Sequence, residues 1–257
     1  TRNGVIYSLE AGGDWRQLTA RRSRSFGSIT RLYEDREGSI WAGTSAGILH
    51  QIKPRLITAW SLPTSVREHI PQTVCAAQDG AVWIGTDGAG AYRCQDGVFT
   101  RFGAEQGLSS ATVMAIFEDR QTNLWFGTYG GLFRLEQGRL KPELESVLSG
   151  QAVPALFQDQ AGDLWLGLTG AVIRKRGEEV KTFELGEGFR DVEVRGFAQG
   201  QRGLIWIGTY GGGLFRLEDD RIERDDRFPR PALTALHLDR QDNLWVGTLN
   251  NGLFQLH

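Results

Sequence analysis

Arg21, Arg22 and Arg24 crowd into one short stretch, "TARRSRSFGS" from Thr19 to Ser28. Guanidinium forks match the planar geometry of carboxylates, so this run suits an anion or uronate clamp as well as a solvated charged loop. A second stretch, "SLPTSVREHIPQ" from Ser61 to Gln72, carries Arg67 and His69 and reads as a partner contact or an insertion. A third, "DDRFPRPA" from Asp225 to Ala232, mixes charges with two prolines and reads as a stiff loop. Asp87, Tyr129, Tyr210, Asn250 and Asn251 fall in short glycine-containing turns. Aromatic faces beside amides and carboxylates suit sugars, although Asp and Asn are also ordinary turn residues.

Catalytic chemistry is harder to find. His50, His69, His237 and His257 are scattered among different elements, and His237, inside an apolar run, reads as a satisfied core histidine. No His-x-x-x-His metal pair or nucleophile elbow occurs. "GTYGGG" at Gly208 resembles a phosphate cradle only superficially, because no helix follows it. Cys75 and Cys94 are too few for a disulfide framework. An intervening strand holds them roughly 10 Å apart, beyond disulfide reach, so both read as buried free thiols. The sequence thus offers no cofactor or metal site and no catalytic constellation; the chain is expected not to be an enzyme.

A formal charge of -2 supplies no global basic field, and nucleic acid and anionic lipid are not expected partners. No apolar run approaches the roughly 20 residues of a membrane-spanning helix, so direct membrane insertion by this segment is not expected.

The elements that position these residues are set by repetition. "SIWAGTSAGILHQI", "AVWIGTDGAGAYRC", "NLWFGTYGGLFRLEQGRL", "LIWIGTYGGGLFRLEDDRI" and "NLWVGTLNNGLFQL" are variants of one text. The repeat tryptophans are Trp41, Trp83, Trp125, Trp165, Trp206 and Trp245, at intervals of 42, 42, 40, 41 and 39 residues. A period near 40 with strand-like content predicts an all-β propeller of four-stranded antiparallel blades. Each repeat supplies strands A to D, innermost to outermost. In "LWFGT" both faces are apolar, as a sheet packed on both sides requires, and Trp-x-Gly-Thr reads as packing code rather than chemistry. B-C and D-A connections share one face of such a ring, and that face is where a ligand would touch.

The count gives six complete repeats plus a partial one over residues 1–18, in a single propeller domain spanning 1–257. A seven-bladed ring is expected, its first blade lacking strands A and B because the segment was cut from a longer receptor. A six-bladed ring closed across the termini by Asp14 to Leu18 is the alternative.

Glu34-Asp35, Glu118-Asp119, Trp125-Phe126-Gly127-Thr128 and Gly131-Leu132-Phe133-Arg134, with the connecting "FGAEQGLSSATV" from Phe102, resemble the two-component regulator propeller family over the whole chain. Leu168 in place of Thr, Gly200 in place of Asp and a shorter turn at Gln78 to Ala81 depart from the pattern. The resemblance implies the sensor segment of a bacterial signalling receptor on the periplasmic or extracellular side. A histidine kinase, hybrid kinase or diguanylate cyclase output would lie outside this chain. It also implies a small-molecule or oligosaccharide ligand and a homodimer in the full receptor. A protein-docking scaffold is the alternative function, and a propeller lyase or hydrolase the third.

Overall fold

Runs rich in Val, Ile, Leu, Trp and Phe, separated by Gly, Asp and Asn turns, favour a pleated backbone at every step. The computed structural model describes residues 7–9, 15–17, 29–34, 40–44, 48–53, 56–61, 69–200, 203–226, 228, 232–239, 241 and 243–256. Within 7–61 it describes the backbone of these strands and the side chains of Arg31, Tyr33 and Trp41.

A two-stranded ladder comes first, β1 (Tyr7–Leu9) with β2 (Trp15–Gln17). Five four-stranded sheets follow. They are β3 (Ile29–Glu34) to β6 (Leu56–Ser61) through β4 (Ile40–Thr44) and β5 (Ile48–Lys53); and β7 (Pro71–Ala76) to β10 (Val98–Phe102) through β8 (Val82–Thr86) and β9 (Ala91–Gln95). Next come β11 (Val113–Glu118), β12 (Leu124–Thr128), β13 (Gly131–Glu136) and β14 (Arg139–Glu143). The fourth sheet is β15 (Ala155–Gln158), β16 (Leu164–Gly167), β17 (Ala171–Arg176) and β18 (Glu179–Glu184). The fifth is β19 (Glu193–Gln199), β20 (Ile205–Tyr210), β21 (Gly213–Glu218) and β22 (Arg221–Arg224). The last sheet has three strands, β23 (Leu233–Leu238), β24 (Leu244–Thr248) and β25 (Leu253–Leu256).

Each sheet is antiparallel with its strands in chain order, so the predicted blade is what the chain forms. Five blades are four-stranded among the described residues, rather than six or seven. The first strands touch in the order β3, β7, β11, β15, β19 and β23, and β23 also touches β3. In five of these strands the register slips by one residue near the start, between Ile29 and Arg31, Pro71 and Thr73, Val113 and Ala115, Val194 and Gly196, and Leu233 and Ala235. Each slip is a bulge that bends the strand and re-aims one side chain.

The Trp-x-Gly-Thr strand does three separate jobs. Trp83 sits edge-on to Phe126 of the following sheet, ring centroids 5.3 Å apart, within a buried cluster that includes Val113 and Ile116. The indole Nε1 of Trp125, Trp165 and Trp245 donates to Asp119, Asp159 and Asp239, six residues earlier, at 2.8, 2.9 and 2.8 Å. The glycine clears a path for the next sheet: a Cβ on Gly127 would lie 2.1 Å from the Val153 carbonyl oxygen, and one on Gly85 2.8 Å from that of Val113.

Among the described residues the turn after the first strand keeps one length. Asp119, Asp159 and Asp239 close it with a backbone bond to the residue four further on, and Ala77 and Gly200 do the same. The turn at Gln78 to Ala81 is therefore not shorter than the others; its difference is Ala77 at the aspartate position, which leaves Trp83 Nε1 buried with no hydrogen bond. His237 is a second correction: it is exposed, because its strand places it outside the buried core. Cys75 and Cys94 are buried and free, flanking β8, where they pair with Trp83 and Val82. Burial pushes the Cys75 thiol up to about 12 and raises Cys94 as well.

Candidate functional site

The turn between second and third strands is stapled by the motif threonine. Thr86, Thr128, Thr209 and Thr248 donate their hydroxyls to the carbonyls of Gly90, Gly131, Gly213 and Gly252 at 2.7–3.0 Å. The same oxygens of Thr86, Thr128 and Thr248 accept from the backbone of Ala89, Gly130 and Asn251. Leu168 cannot do this, and its turn closes through the backbone alone, Leu168 N–H to the Ala171 carbonyl. The staples hold out the side chains at the turn tips. Tyr129 is 57% exposed and Tyr210 44%.

These turns meet the links between sheets on one face. Asp87 N–H donates to the Ile70 carbonyl and Tyr129 N–H to that of Thr112, while Tyr210 bridges to Ala232. The face carries two polar groupings. In the first, His69 Nδ1 lies 3.1 Å from the Asp87 carbonyl oxygen, and Thr112 Oγ1 donates to Asp87 Oδ1 at 3.0 Å. His69 and Asp87, separate in the sequence reading, are thus neighbours, and Thr112 is a member the reading missed. Nearby, a groove of about 290 Å3 is lined by Gly107, Ser109, Gly130, Glu143, Glu145 and Leu148.

The second grouping surrounds Tyr210. Glu193 pairs with Tyr210 across the sheet, and Arg195, the bulged residue of β19, lies with its guanidinium 5.4 Å from the Tyr210 ring centroid. Glu193 pairs with Arg195: Oε2 accepts from Nη2 at 3.2 Å, while Oε1 lies 3.1 Å from Nε without a hydrogen bond. The pair is partly open to solvent, with side chains 27% and 24% exposed. Arg31 of β3 donates from Nη1 to the Thr234 carbonyl at 2.8 Å, joining the first four-stranded sheet to the last sheet. Burial lowers the Arg31 guanidinium to about 10, the Arg195 charge lowers it too, and Glu193 works the other way.

Asn250 and Asn251 are exposed at the turn after β24, where the Asn251 backbone serves the Thr248 staple; no other candidate gathers there. Arg21, Arg22, Arg24 and Arg67 lie outside the described residues. Arg31, Glu193 and Arg195 escaped notice because they sit in inner strands, read as scaffold. The available signal was alignment of repeats on the motif tryptophan: "VEVRGF" from Val192 puts Glu193 at the place of Thr112 and Arg195 at that of Met114 in "ATVMAI". Among the described residues no group of three or more His, Cys, Asp and Glu is placed to hold a metal. No described helix is long and apolar enough to cross a membrane.

In solved structures the fold is matched by a streptogramin B lyase, with a TM-score of 0.81 and 16% identity over 99% of this chain and 87% of that one. Virginiamycin B lyase from Staphylococcus aureus, solved with quinupristin, matches at 0.79 and 15% over 98% and 87%. The extracellular domain of a putative one component system from B. thetaiotaomicron matches at 0.75 and 20% over 98% of this chain. This chain spans 36% of that domain's length. Identities this low show a shared fold. No curated protein matches the chain. The family described as two component regulator propeller matches residues 23–46 and 107–130. The chain therefore carries the repeats of the two-component regulator propeller family.

Proposed function

We propose that this propeller is the sensing segment of a bacterial two-component-type receptor, on the periplasmic or extracellular side, and that it binds a small molecule of the saccharide class on its turn face. The observation that carries this is the half-exposed Tyr210 ring with the Arg195 guanidinium over it and Glu193 paired to that arginine, an aromatic group with a donor and an acceptor beside it. Tyr129 and the His69–Asp87–Thr112 group extend the same face. Binding there biases a homodimer, and through it an output domain outside this chain. Cyclic contact of the six first strands, with Arg31 reaching Thr234, supports the six-bladed form of the ring.

A thermal-shift series of neutral and acidic oligosaccharides tests the reading. A ligand at a hundredfold excess over its Kd stabilises the native state by about 2.7 kcal/mol, raising Tm by roughly 5–10 °C for a chain of this size. Tyr210→Ala removes the shift and leaves the ligand-free Tm within about 2 °C, because its ring is half exposed. If no saccharide shifts Tm, or the shift survives in both Tyr210→Ala and Tyr129→Ala, the sensing role fails and a docking scaffold takes its place. Turnover of a ligand, abolished by His69→Ala, would point instead to a lyase or hydrolase.

A further inference from the structure

The third four-stranded sheet departs from the repeat on its outermost strand. Two pairings outward from the motif glycine, that strand carries Trp60 in the first sheet, Phe102 in the second and Phe183 in the fourth. Phe102 and Phe183 pack on the motif tryptophans of their own sheets, ring centroids 4.7 Å from Trp83 and 5.8 Å from Trp165. In the third sheet the position belongs to Glu143, paired with Leu132. Asp225, which follows the last pair of the fifth sheet, is buried and its backbone bonds Leu214; Glu143 is 24% exposed. The apolar neighbours are retained, Leu132 from β13 and Leu148 from the link, both 1% exposed. A carboxylate fills less space than a ring, and the groove of about 290 Å3 opens against these two leucines with Glu143 in its wall. Its rim includes α1 (Glu145–Leu148), the one α-helix among the described residues. Leu144 and Ser149 on either side of α1 are left-handed, at φ 55° and 49°. These sharp turns let Leu148 reach the core while Glu145 stays exposed.

We propose that this groove takes one amino-sugar unit, its ammonium on the Glu143 carboxylate and its ring against the floor of Leu132 and Leu148. The proposal rests on the sensing role for the sugar body of the ligand, while the demand for a cation stands on the groove itself. Among the described residues Glu143 accepts no hydrogen bond: Arg134 Nε lies 3.0 Å from its Oε1 without one, and Arg134 Nη2 donates to Glu136 instead. Lys141 also pairs with Glu136. Arg134 and Lys141 thus balance Glu136 and Glu143, and Glu145 leaves the groove with an excess of negative charge. A half-buried carboxylate with open acceptor positions holds an ammonium more strongly than a neutral hydroxyl. Ser109 and Ser149 line the same groove and offer hydroxyls to those of a sugar. The volume lies at the small end of ligand sites and suits a single ring rather than a chain. Gly130 on the rim directly follows the exposed Tyr129, which puts the groove on the turn face.

The test is titration of the chain with glucosamine, N-acetylglucosamine, glucose and sodium chloride at matched ionic strength, at a pH that keeps the amine charged, followed by Tm and by calorimetry. Glucosamine raises Tm, and N-acetylglucosamine, the same ring without the charge, binds at least about tenfold more weakly. Glu143→Phe gives the third sheet the residue type of its neighbours, fills the groove and abolishes glucosamine binding, with the ligand-free Tm kept or raised. Where the ring does not fit, Glu143→Gln removes the charge at nearly constant shape and weakens glucosamine at least about tenfold. An equal response to glucose or N-acetylglucosamine overturns the amino-sugar assignment. An equal response to sodium chloride, or a glucosamine response that survives in Glu143→Gln, overturns the site. If glucosamine gives no shift while a neutral oligosaccharide still raises Tm in a Tyr210-dependent way, the groove site falls and the sensing role stands.

Discussion

One hydrogen bond separates Trp83 from three of its counterparts: its indole N–H is buried without a partner, whereas Trp125, Trp165 and Trp245 each reach an aspartate. Ala77→Asp places a carboxylate at the equivalent position of a turn that already closes with the same backbone bond. It should stabilise the chain by about 1 kcal/mol, read from the urea midpoint. Asp159→Ala does the reverse, stranding Trp165 Nε1 and the Asp163 N–H, and should cost about 2–3 kcal/mol. Asp239 carries this logic into pH dependence. Burial raises its carboxyl, but bonds from Asn243 and Trp245 outweigh that and hold it at about 2, below the ordinary 3.8. A depressed folded value means stability that is present above pH 3.8 and lost as pH falls through about 2. The stability gap between the natural chain and Asp239→Asn should be full at pH 6 and shrink between pH 4 and 2. The role of the motif tryptophan in packing was legible in the sequence, since period and residue type sufficed. Its hydrogen bond to a residue six earlier was not, because strand periodicity reports faces and says nothing of where an indole edge points.

Glycine positions that look alike in the repeat differ by what the neighbouring sheet brings near them. Gly127→Ala would drive a methyl against the Val153 carbonyl, and overpacking of this kind should cost about 3 kcal/mol. Gly196→Ala meets nothing nearer than the Leu236 backbone nitrogen at 3.6 Å and should change stability by less than about 1 kcal/mol. Parallel thermal melts of the two variants decide this, and similar losses would refute the account. Strand order and the shared face of the turns followed from the sequence pattern. The bulges did not: a one-residue slip leaves alternation nearly intact in text, yet it is the slip at Val194 that makes Arg195 the extra residue of β19. Glu193 and Arg195, dismissed as scaffold, therefore make one of the two polar groupings, while Asn250 and Asn251 lie exposed in a turn apart from both.

Across the whole molecule, protection should follow the sheets. β25 belongs to a three-stranded sheet and carries the exposed Leu253, so its amides should exchange faster than those of β13 and β17, each paired on both sides. Hydrogen exchange by mass spectrometry checks this, and equal protection would show that β25 gains a partner in solution. The joints between sheets have a further consequence. From β7 to β23 each is made of the same parts, a tryptophan and a glycine on one side and a small aliphatic strand on the other, so a whole repeat is close to an interchangeable module that could be excised or duplicated without inventing a contact. Among the described residues the joint closed by Arg31 and Thr234 has no twin. Changes in repeat number can accumulate anywhere else around the ring, but the seam has to be inherited as a matched pair.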